Sequence, residues 1–318
     1  MARAPALRTE NARAAPAALC QASGLSPKNH ESSAWTSYLK AGTRTEAVDP
    51  DAFRELMRHD DYPRASAYDP LWAHLNHMGP SVLWLTEALT QVLALEPGMR
   101  VLDLGCGSAI SSIFLAREFG VEVWAADLWI DPTANRTRVD EAGVSDRVFP
   151  IEAEAHTLPF PRGYFDALVS IDSYHYFGTD MRYLSYAAQF LRPDGRIGIV
   201  VPGNAVDPDD LPAELVANAP FGADYFTFRS AAWWARHWSR TTGVVVPHAE
   251  MLPGGWDLWH RHARANEAWD GLPLAGTGDG PLLLSEHGQH LGFARVTARR
   301  TDEHTLTFGP GRYTTRLV

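Results

Sequence analysis

A hydrophobic run that ends in two closely spaced glycines is the part of this sequence best suited to hold a ligand. It reads Val101-Leu102-Asp103-Leu104-Gly105-Cys106-Gly107-Ser108. Because glycine lacks a Cβ, the backbone at Gly105 and Gly107 can approach a ligand closely, and a helix that starts after them offers unpaired N–H groups. The segment therefore predicts a ligand-binding turn between a strand and a helix.

Two neighbouring positions narrow the class of ligand. Ile110 stands where the dinucleotide fingerprint has its third glycine, which disfavours a nicotinamide cofactor bound through its pyrophosphate. Asp127 ends the next hydrophobic run, a position from which a carboxylate can accept hydrogen bonds from both hydroxyls of a ribose. Together these positions predict an adenosine-bearing ligand without a diphosphate.

The elements that must position this turn alternate between strands and helices. Strands are predicted at 100–104, 121–126, 148–152, 165–171 and 195–201, with helices at 108–119, 131–142 and 180–191. This alternation is typical of a doubly wound α/β fold, in which ligands bind at the carboxyl ends of parallel strands. Later runs predict an aromatic helix at 231–238, a further helix at 256–269 and strands at 244–246 and 291–297.

Val101 to Gly107 resembles the first motif of class I S-adenosylmethionine-dependent methyltransferases. The resemblance continues through Asp127 and through residues 154–160, 165–170 and 191–196, in the family's order and spacing. Residues 76–87 are also similar to bacterial small-molecule enzymes of the cyclopropane-synthase-like and antibiotic-tailoring branches. The resemblance implies a Rossmann-like, mostly parallel seven-stranded sheet with a helical N-terminal lid and an aromatic-rich cap insertion.

The resemblance also implies S-adenosylmethionine as the cofactor, and it assigns residues to its methionine part. Asp103, Gly105, Cys106 and Gly107 would shape the pocket for that part. Asp172, just past the fourth strand, would lie near the amino group. Asp103 has a rival role, because a carboxylate at the end of a strand often caps backbone N–H groups.

The nucleoside part of the cofactor is assigned in the same way. Asp127 would hold the ribose, and Leu128 would lie against the adenine. Glu154 stands where the family commonly has an aspartate that binds the adenine amino group, and Ala155 would donate its backbone N–H to the ring.

The acceptor side is expected at the same edge of the sheet, directly after the fourth strand. His175 could take a proton from an acceptor, because histidine titrates near neutral pH. Tyr174 and Tyr176 would line the acceptor pocket, where aromatic faces attract a cationic amine. Tyr68 and Met78, which precede the core, would contact substrate as part of a lid. Structural packing is the alternative for each of these side chains.

The resemblance implies the following domain organisation. The methyltransferase domain spans 46–300, with a cofactor-binding core at 80–201 and acceptor-cap insertions at 203–240 and 250–285. Residues 1–45 lack hydrophobic periodicity and are expected to form a mobile extension, and 301–318 to form a C-terminal tail.

The predicted reaction is methyl transfer to a small-molecule acceptor, with N-methylation preferred over O-methylation. The alternatives are C-methylation or cyclopropanation of an alkene, and a protein that binds S-adenosylmethionine without catalysis.

Composition excludes several other classes of function. The 318 residues are 45% apolar and 21% charged, as in soluble globular proteins. A net charge of −10 argues against a general affinity for nucleic acid, and no run approaches the ~20 apolar residues of a membrane span. Two cysteines and the lack of a secretory apolar block predict a cytoplasmic location. The oligomeric state is left open, with a homo-oligomer among the alternatives.

Histidine pairs raise the question of a metal site. Three pairs have suitable spacing: His74 with His77, His260 with His262, and His287 with His290. Neither a cysteine pair nor a carboxylate pattern completes a zinc site beside them, so no metal centre is predicted.

Overall fold

The computed structural model describes residues 49–218, 222–271, 273–276 and 279–301. The expected N-terminal extension at 1–45 and the C-terminal tail at 301–318 lie outside these ranges, except for Thr301. No helix within the described ranges is long and apolar enough to cross a lipid bilayer.

Seven strands of the described chain form one sheet. They are β1 (Arg100–Leu104), β2 (Glu122–Asp127), β3 (Val148–Glu152), β4 (Phe165–Ile171), β5 (Leu191–Asn204), β6 (Val244–Met251) and β7 (Leu291–Arg300). Their order across the sheet is β3-β2-β1-β4-β5-β7-β6, and β7 runs antiparallel between β5 and β6. The doubly wound, mostly parallel seven-stranded sheet predicted from the sequence is confirmed.

Ten α-helices accompany the sheet in the described ranges. They are α1 (Pro50–Leu56), α2 (Pro70–Asn76), α3 (Val82–Thr90), α4 (Ile110–Phe119), α5 (Pro132–Glu141), α6 (Tyr183–Ala188), α7 (Ala213–Asn218), α8 (Ala231–Trp238), α9 (Gly255–Asp270) and α10 (Gly280–Glu286). Val101 and Leu102, adjacent on β1, belong to different buried clusters, one containing side chains of α3 and α4 and the other side chains of α6 and α8. Since successive strand residues point to opposite faces, both faces of the sheet are covered.

Local patterns placed most boundaries well, although β6 extends five residues beyond its predicted end and the region before β5 also differs. The predicted helix at 180–191 is limited to α6, and β5 begins four residues earlier than expected. The reason is tertiary: Leu191 pairs with Phe165 in the parallel ladder between β4 and β5, so the chain is already extended there.

The N-terminal helices lead directly to the ligand-binding edge. Asp69 caps α2, since its side chain accepts a hydrogen bond from the backbone N–H of Trp72 at 2.8 Å, and Pro70 starts the helix. α2 ends at Asn76. Residues 77–80, which lead towards α3, are named here the lid turn.

Candidate functional site

Residues 105–107, named here the glycine turn, are fixed to the neighbouring strand by backbone hydrogen bonds. The N–H groups of Gly105 and Cys106 both donate to the carbonyl of Ala126, at 2.8 and 3.1 Å. The N–H of Gly107 donates to Oδ2 of Asp127 at 2.8 Å. The turn after β1 and the carboxylate that ends β2 therefore form one unit.

Two close approaches explain why this turn needs glycine. Gly105 has φ +74°, and a Cβ there would lie 2.3 Å from Oγ of Ser173. Gly107 has φ +55°, and a Cβ there would lie 3.2 Å from Cβ of Met78. The end of β4 and the lid turn thus both pack on the glycine turn, which agrees with the expectation that Met78 lies at the site.

Asp127 is nearly buried, and each of its carboxylate oxygens is hydrogen-bonded. Oδ1 accepts from the backbone N–H groups of Trp129 and Ile130 at 2.8 and 3.0 Å, in addition to the Gly107 bond on Oδ2. These bonds hold the carboxylate at the carboxyl edge of the sheet. Leu128 is exposed beside it, as a side chain that packs against a ligand ring would be.

Asp172 carries a carboxylate that has no hydrogen-bond or ion-pair partner among the described residues. Its φ is +55°, a conformation that few non-glycine residues adopt, and its N–H donates to the carbonyl of Val200 at 2.8 Å. A Cβ added to Gly79 would lie 1.7 Å from Oδ2 of Asp172, so the lid turn packs directly on this carboxylate. Burial raises the pKa of the Asp172 carboxyl well above its usual range.

Asp103 lies beneath the glycine turn rather than on its surface. Its Oδ2 accepts from the hydroxyls of Ser111 and Ser112 at 2.6 Å each, and its buried Oδ1 has no partner among the described residues. Burial raises the pKa of Asp103 to about 6, although the two hydroxyl bonds act to lower it. The carboxylate joins β1 to α4. It therefore accepts hydrogen bonds from side-chain hydroxyls. The alternative role, in which it would cap backbone N–H groups at the end of the strand, is not what the structure shows. Burial also raises the pKa of the neighbouring Cys106 thiol.

Glu154 and Ala155 follow β3 at the same edge of the sheet. The Glu154 carboxylate accepts from the backbone N–H of His156 at 2.9 Å and contacts its Nδ1 at 2.6 Å. Burial acts to raise the pKa of Glu154, but the hydrogen bonds from His156 outweigh it and lower the pKa. The carbonyl of Ala155 accepts from the hydroxyl of Tyr183 at 3.1 Å.

The two tyrosines expected to line an acceptor pocket are separated by the fold. Tyr176 is 51% exposed, and its ring lies 5.9 Å from that of Trp129, which is 71% exposed. Tyr174 is fully buried, with its ring 5.7 and 5.5 Å from those of Trp234 and Trp238 on α8. This burial corrects the expectation that both rings face an acceptor: Tyr176 and Trp129 form the exposed aromatic pair.

His175 lies between this pair and the core. It is buried, its ring centroid is 4.0 Å from that of Tyr176, and its Nδ1 has no hydrogen-bond partner among the described residues. Burial lowers the pKa of His175 to about 3, so the imidazole is neutral at pH 7. A neutral ring has a free lone pair, but such a low pKa makes it a weak base.

Tyr68 is buried against α4. Its ring packs against Phe114, and its hydroxyl donates to Glu118 of α4 at 3.1 Å. It lines a cavity of about 30 Å³, together with His77 and His262.

Several residues at the site were not identified from the sequence. Ser170 and Ser173 both donate to the carbonyl of Leu104, at 2.7 and 2.9 Å, and so join the ends of β1 and β4. The available signal in the sequence was their position at the end of a predicted strand. Gly79 had none, because its role depends on contact with a distant segment, whereas Trp129 follows Leu128 and was a second candidate to lie against the adenine. Within the described ranges, histidine, cysteine and carboxylate side chains form no group of three that could hold a metal ion.

Known proteins match this region of the chain. Residues 101–195 match the family described as Methyltransferase domain. The 27-O-demethylrifamycin SV methyltransferase of Amycolatopsis mediterranei (strain S699) is 30% identical over 160 residues, which are 47% of this chain and 55% of that protein. Methyltransferase GfsG of Streptomyces halstedii is 31% identical over 148 residues, 46% of this chain and 51% of that protein. The chain thus spans about half the length of these curated relatives.

A solved structure matches a larger part of the chain. Geranyl diphosphate C-methyltransferase from Streptomyces coelicolor A3(2) superposes with a TM-score of 0.58 at 17% identity, over 80% of this chain and 85% of that one. Identity this low establishes the fold alone. The domain match and the curated relatives confirm the resemblance to class I S-adenosylmethionine-dependent methyltransferases, and residues 101–195 match a methyltransferase domain.

Proposed function

We propose that this chain is an S-adenosylmethionine-dependent methyltransferase that acts on a small-molecule acceptor. The observation that carries the proposal is the meeting, at one edge of the sheet, of a glycine turn bonded to Asp127 and the unpartnered carboxylate of Asp172. A ligand that joins a ribose diol to a cationic amino acid offers both groups that two such carboxylates bind. The matched domain covers both residues.

The residues at this edge fit the cofactor group by group. The absence of Cβ atoms at Gly105 and Gly107 lets Ser173 and Met78 pack closely on the turn that would hold the methionine part. Asp172 would bind the ammonium group, Asp127 the ribose, and Leu128 one face of the adenine. Glu154 and the backbone of Ala155 would bind the edge of the adenine. When bound, S-adenosylmethionine supplies a methyl group on a positively charged sulfur.

The chain's own contribution to the reaction is alignment and the exclusion of water. The cofactor would supply an electrophilic methyl group and leave as a neutral thioether, and this chain would hold the acceptor with its lone pair towards that group. Holding the reactants in line is worth as much as ~7–11 kcal/mol when it is well achieved. Met78 and the rest of the lid turn would exclude water, and His175 would take a proton from the acceptor.

The exposed pair of Trp129 and Tyr176 supports the choice of acceptor. Its aromatic faces attract a cationic amine, which favours N-methylation over O-methylation. Together with exposed Leu128, the same pair offers an apolar rim that would suit an alkene acceptor, so C-methylation is the second candidate. The structural neighbour named as a geranyl diphosphate C-methyltransferase adds support to it.

Calorimetry and a turnover assay test the proposal. The protein should bind S-adenosylmethionine and S-adenosylhomocysteine with about micromolar affinity and NAD far more weakly. A preference for NAD would reject the proposal. Incubation with labelled S-adenosylmethionine and separate panels of amines, phenols and alkenes should transfer the label to one panel. Tight binding with transfer to none of them would favour a binding protein without catalysis.

A further inference from the structure

Three hydrogen bonds link the glycine turn to the last residue of α2 through two side chains of α5, and a fourth fixes that last residue within α2. Asn135 donates from Nδ2 to the carbonyl of Gly107 at 2.9 Å. Arg138 donates from one terminal nitrogen to Oδ1 of Asn135 at 2.8 Å and from Nε to Oδ1 of Asn76 at 2.8 Å. Asn76 in turn donates from Nδ2 to the carbonyl of Trp72 at 2.8 Å. The two asparagines are almost fully buried.

The donors and acceptors in this chain of bonds match at every step. A guanidinium has only donors, and it lies between two amide oxygens, while each amide turns its NH₂ group towards a backbone carbonyl. The planar fork of Arg138 can serve two oxygens at once. A lysine ammonium, which is a point donor, reproduces this geometry poorly. Loss of the guanidinium would remove one donor from each of two buried amide oxygens, which is costly.

Both ends of this chain of bonds lie on walls of the site. Gly107 holds Asp127 through its N–H and accepts from Asn135 through its carbonyl, so both polar groups of the residue are fixed. Asn76 immediately precedes the lid turn, in which Met78 packs on Gly107 and Gly79 packs on Asp172. Arg138 lies on α5, outside both walls, and is the group through which they are connected.

We infer that Arg138 is a positioning residue that sets the distance between the lid turn and the glycine turn. Through Asn76 it holds the lid turn against Asp172, and through Asn135 it holds the Gly107 carbonyl. It thereby determines how closely the methionine end of the cofactor is enclosed. The inference rests on the proposed function for its ligand, but the connection of the two turns does not depend on that ligand.

Arg138→Met tests the inference, with Arg136→Met as the matched control. Arg136 lies on the same helix and, among the described residues, contacts Asp140 and the carbonyl of Ser145 alone, so its loss should leave binding unchanged. Arg138→Met should raise the dissociation constant of S-adenosylhomocysteine about tenfold. It should also speed amide hydrogen exchange at residues 77–79, with or without that ligand. Thermal unfolding shows whether each variant is folded.

Variants of Asn76 separate positioning from a general structural role. Asn76→Asp keeps an acceptor for Arg138 and should bind the ligand nearly as the native protein does, whereas Asn76→Leu should weaken binding as Arg138→Met does. Because both changes break one connection, the double variant Arg138→Met, Asn76→Leu should bind no more weakly than either single variant.

The inference is overturned if folded Arg138→Met keeps native affinity and native exchange, if Arg136→Met is equally affected, or if the two losses add. Failure of the native protein to bind S-adenosylhomocysteine would instead reject the proposed function. In that case the exchange rates at residues 77–79, measured without ligand, still decide whether Arg138 connects the two turns.

Discussion

The backbone N–H of Gly107 donates to the carboxylate of Asp127 at 2.8 Å, which joins the turn after the first strand to the end of the second. One residue supplies a backbone that a ligand can approach closely, and the other supplies the acceptor proposed for its sugar. Their hydrogen bond fixes the spacing between the two parts of the proposed cofactor pocket before any ligand arrives.

Removal of the Asp127 carboxylate should therefore weaken cofactor binding strongly. Asp127→Ala removes both the acceptor for the ribose and the bond that holds Gly107, so we expect the dissociation constant of S-adenosylhomocysteine to rise by about a hundredfold. Calorimetry measures it. Asp146→Ala is the matched control, because Asp146 precedes β3 at the amino ends of the strands and, within the described ranges, contacts Arg147 alone. Unchanged affinity in folded Asp127→Ala would remove the ribose assignment.

Asp172 should make cofactor binding depend on pH. Burial raises the pKa of its carboxyl, and only the ionised form attracts an ammonium group. Affinity for S-adenosylhomocysteine should thus increase as pH rises through the raised titration range of this carboxyl, with release of a proton on binding. Calorimetry in buffers of different ionisation enthalpy detects that proton. Asp172→Asn should bind more weakly and lose this pH dependence; a variant that keeps the native profile would contradict the assignment.

Alanine at Gly105 should harm the site more than the backbone strain alone predicts. Gly143 provides the comparison, because its φ of +68° is similar but no atom lies within 4 Å of a Cβ placed there. Gly143→Ala should lower the free energy of unfolding by about 1 kcal/mol. Gly105→Ala, whose Cβ would meet Ser173, should lower it further and also weaken cofactor binding. Denaturant unfolding measures the free energy of unfolding of both variants. Equal losses in Gly105→Ala and Gly143→Ala would mean that the contact with Ser173 is easily relieved.

His175 should affect turnover rather than cofactor affinity if it takes the proton. With the acceptor identified, His175→Ala should reduce kcat about a hundredfold. Because burial lowers the pKa of His175 to about 3, the native enzyme should show no rise in kcat from this group between pH 5 and 8. His260→Ala, which removes a ring stacked on Trp256, serves as the control. Native kcat in His175→Ala would leave the histidine a packing role.

Asp103 should make the native protein less stable as pH rises through the range of its titration. Its pKa is raised from 3.8 to about 6, so the folded state holds a proton that the unfolded state releases between these values. The resulting loss of unfolding free energy is about 3 kcal/mol. Asp103→Asn stays neutral, and its stability relative to the native protein should therefore improve by that amount between pH 4 and 7. A difference that does not change with pH would contradict the raised pKa.

The positions of the strands along the chain and the ligand-binding turn were predictable because they depend on short-range patterns. Hydrophobic runs at 100–104, 148–152 and 165–171 coincide with β1, β3 and β4, since burial on both faces of a sheet requires continuous apolar sequence. The glycine turn and Asp127 were recognisable because the parallel pairing of β1 with β2 brings a turn and the next strand's end to one edge.

Only the tertiary structure decided which side chains face the site. Trp234 and Trp238, on a helix some sixty residues further along the chain, enclose Tyr174 and leave Tyr176 exposed, although the two tyrosines look equivalent in the sequence. Likewise, Asn76 and Arg138 belong to different helices and meet over the glycine turn. Such contacts depend on how the helices pack against the sheet, and no local pattern of residues records that packing.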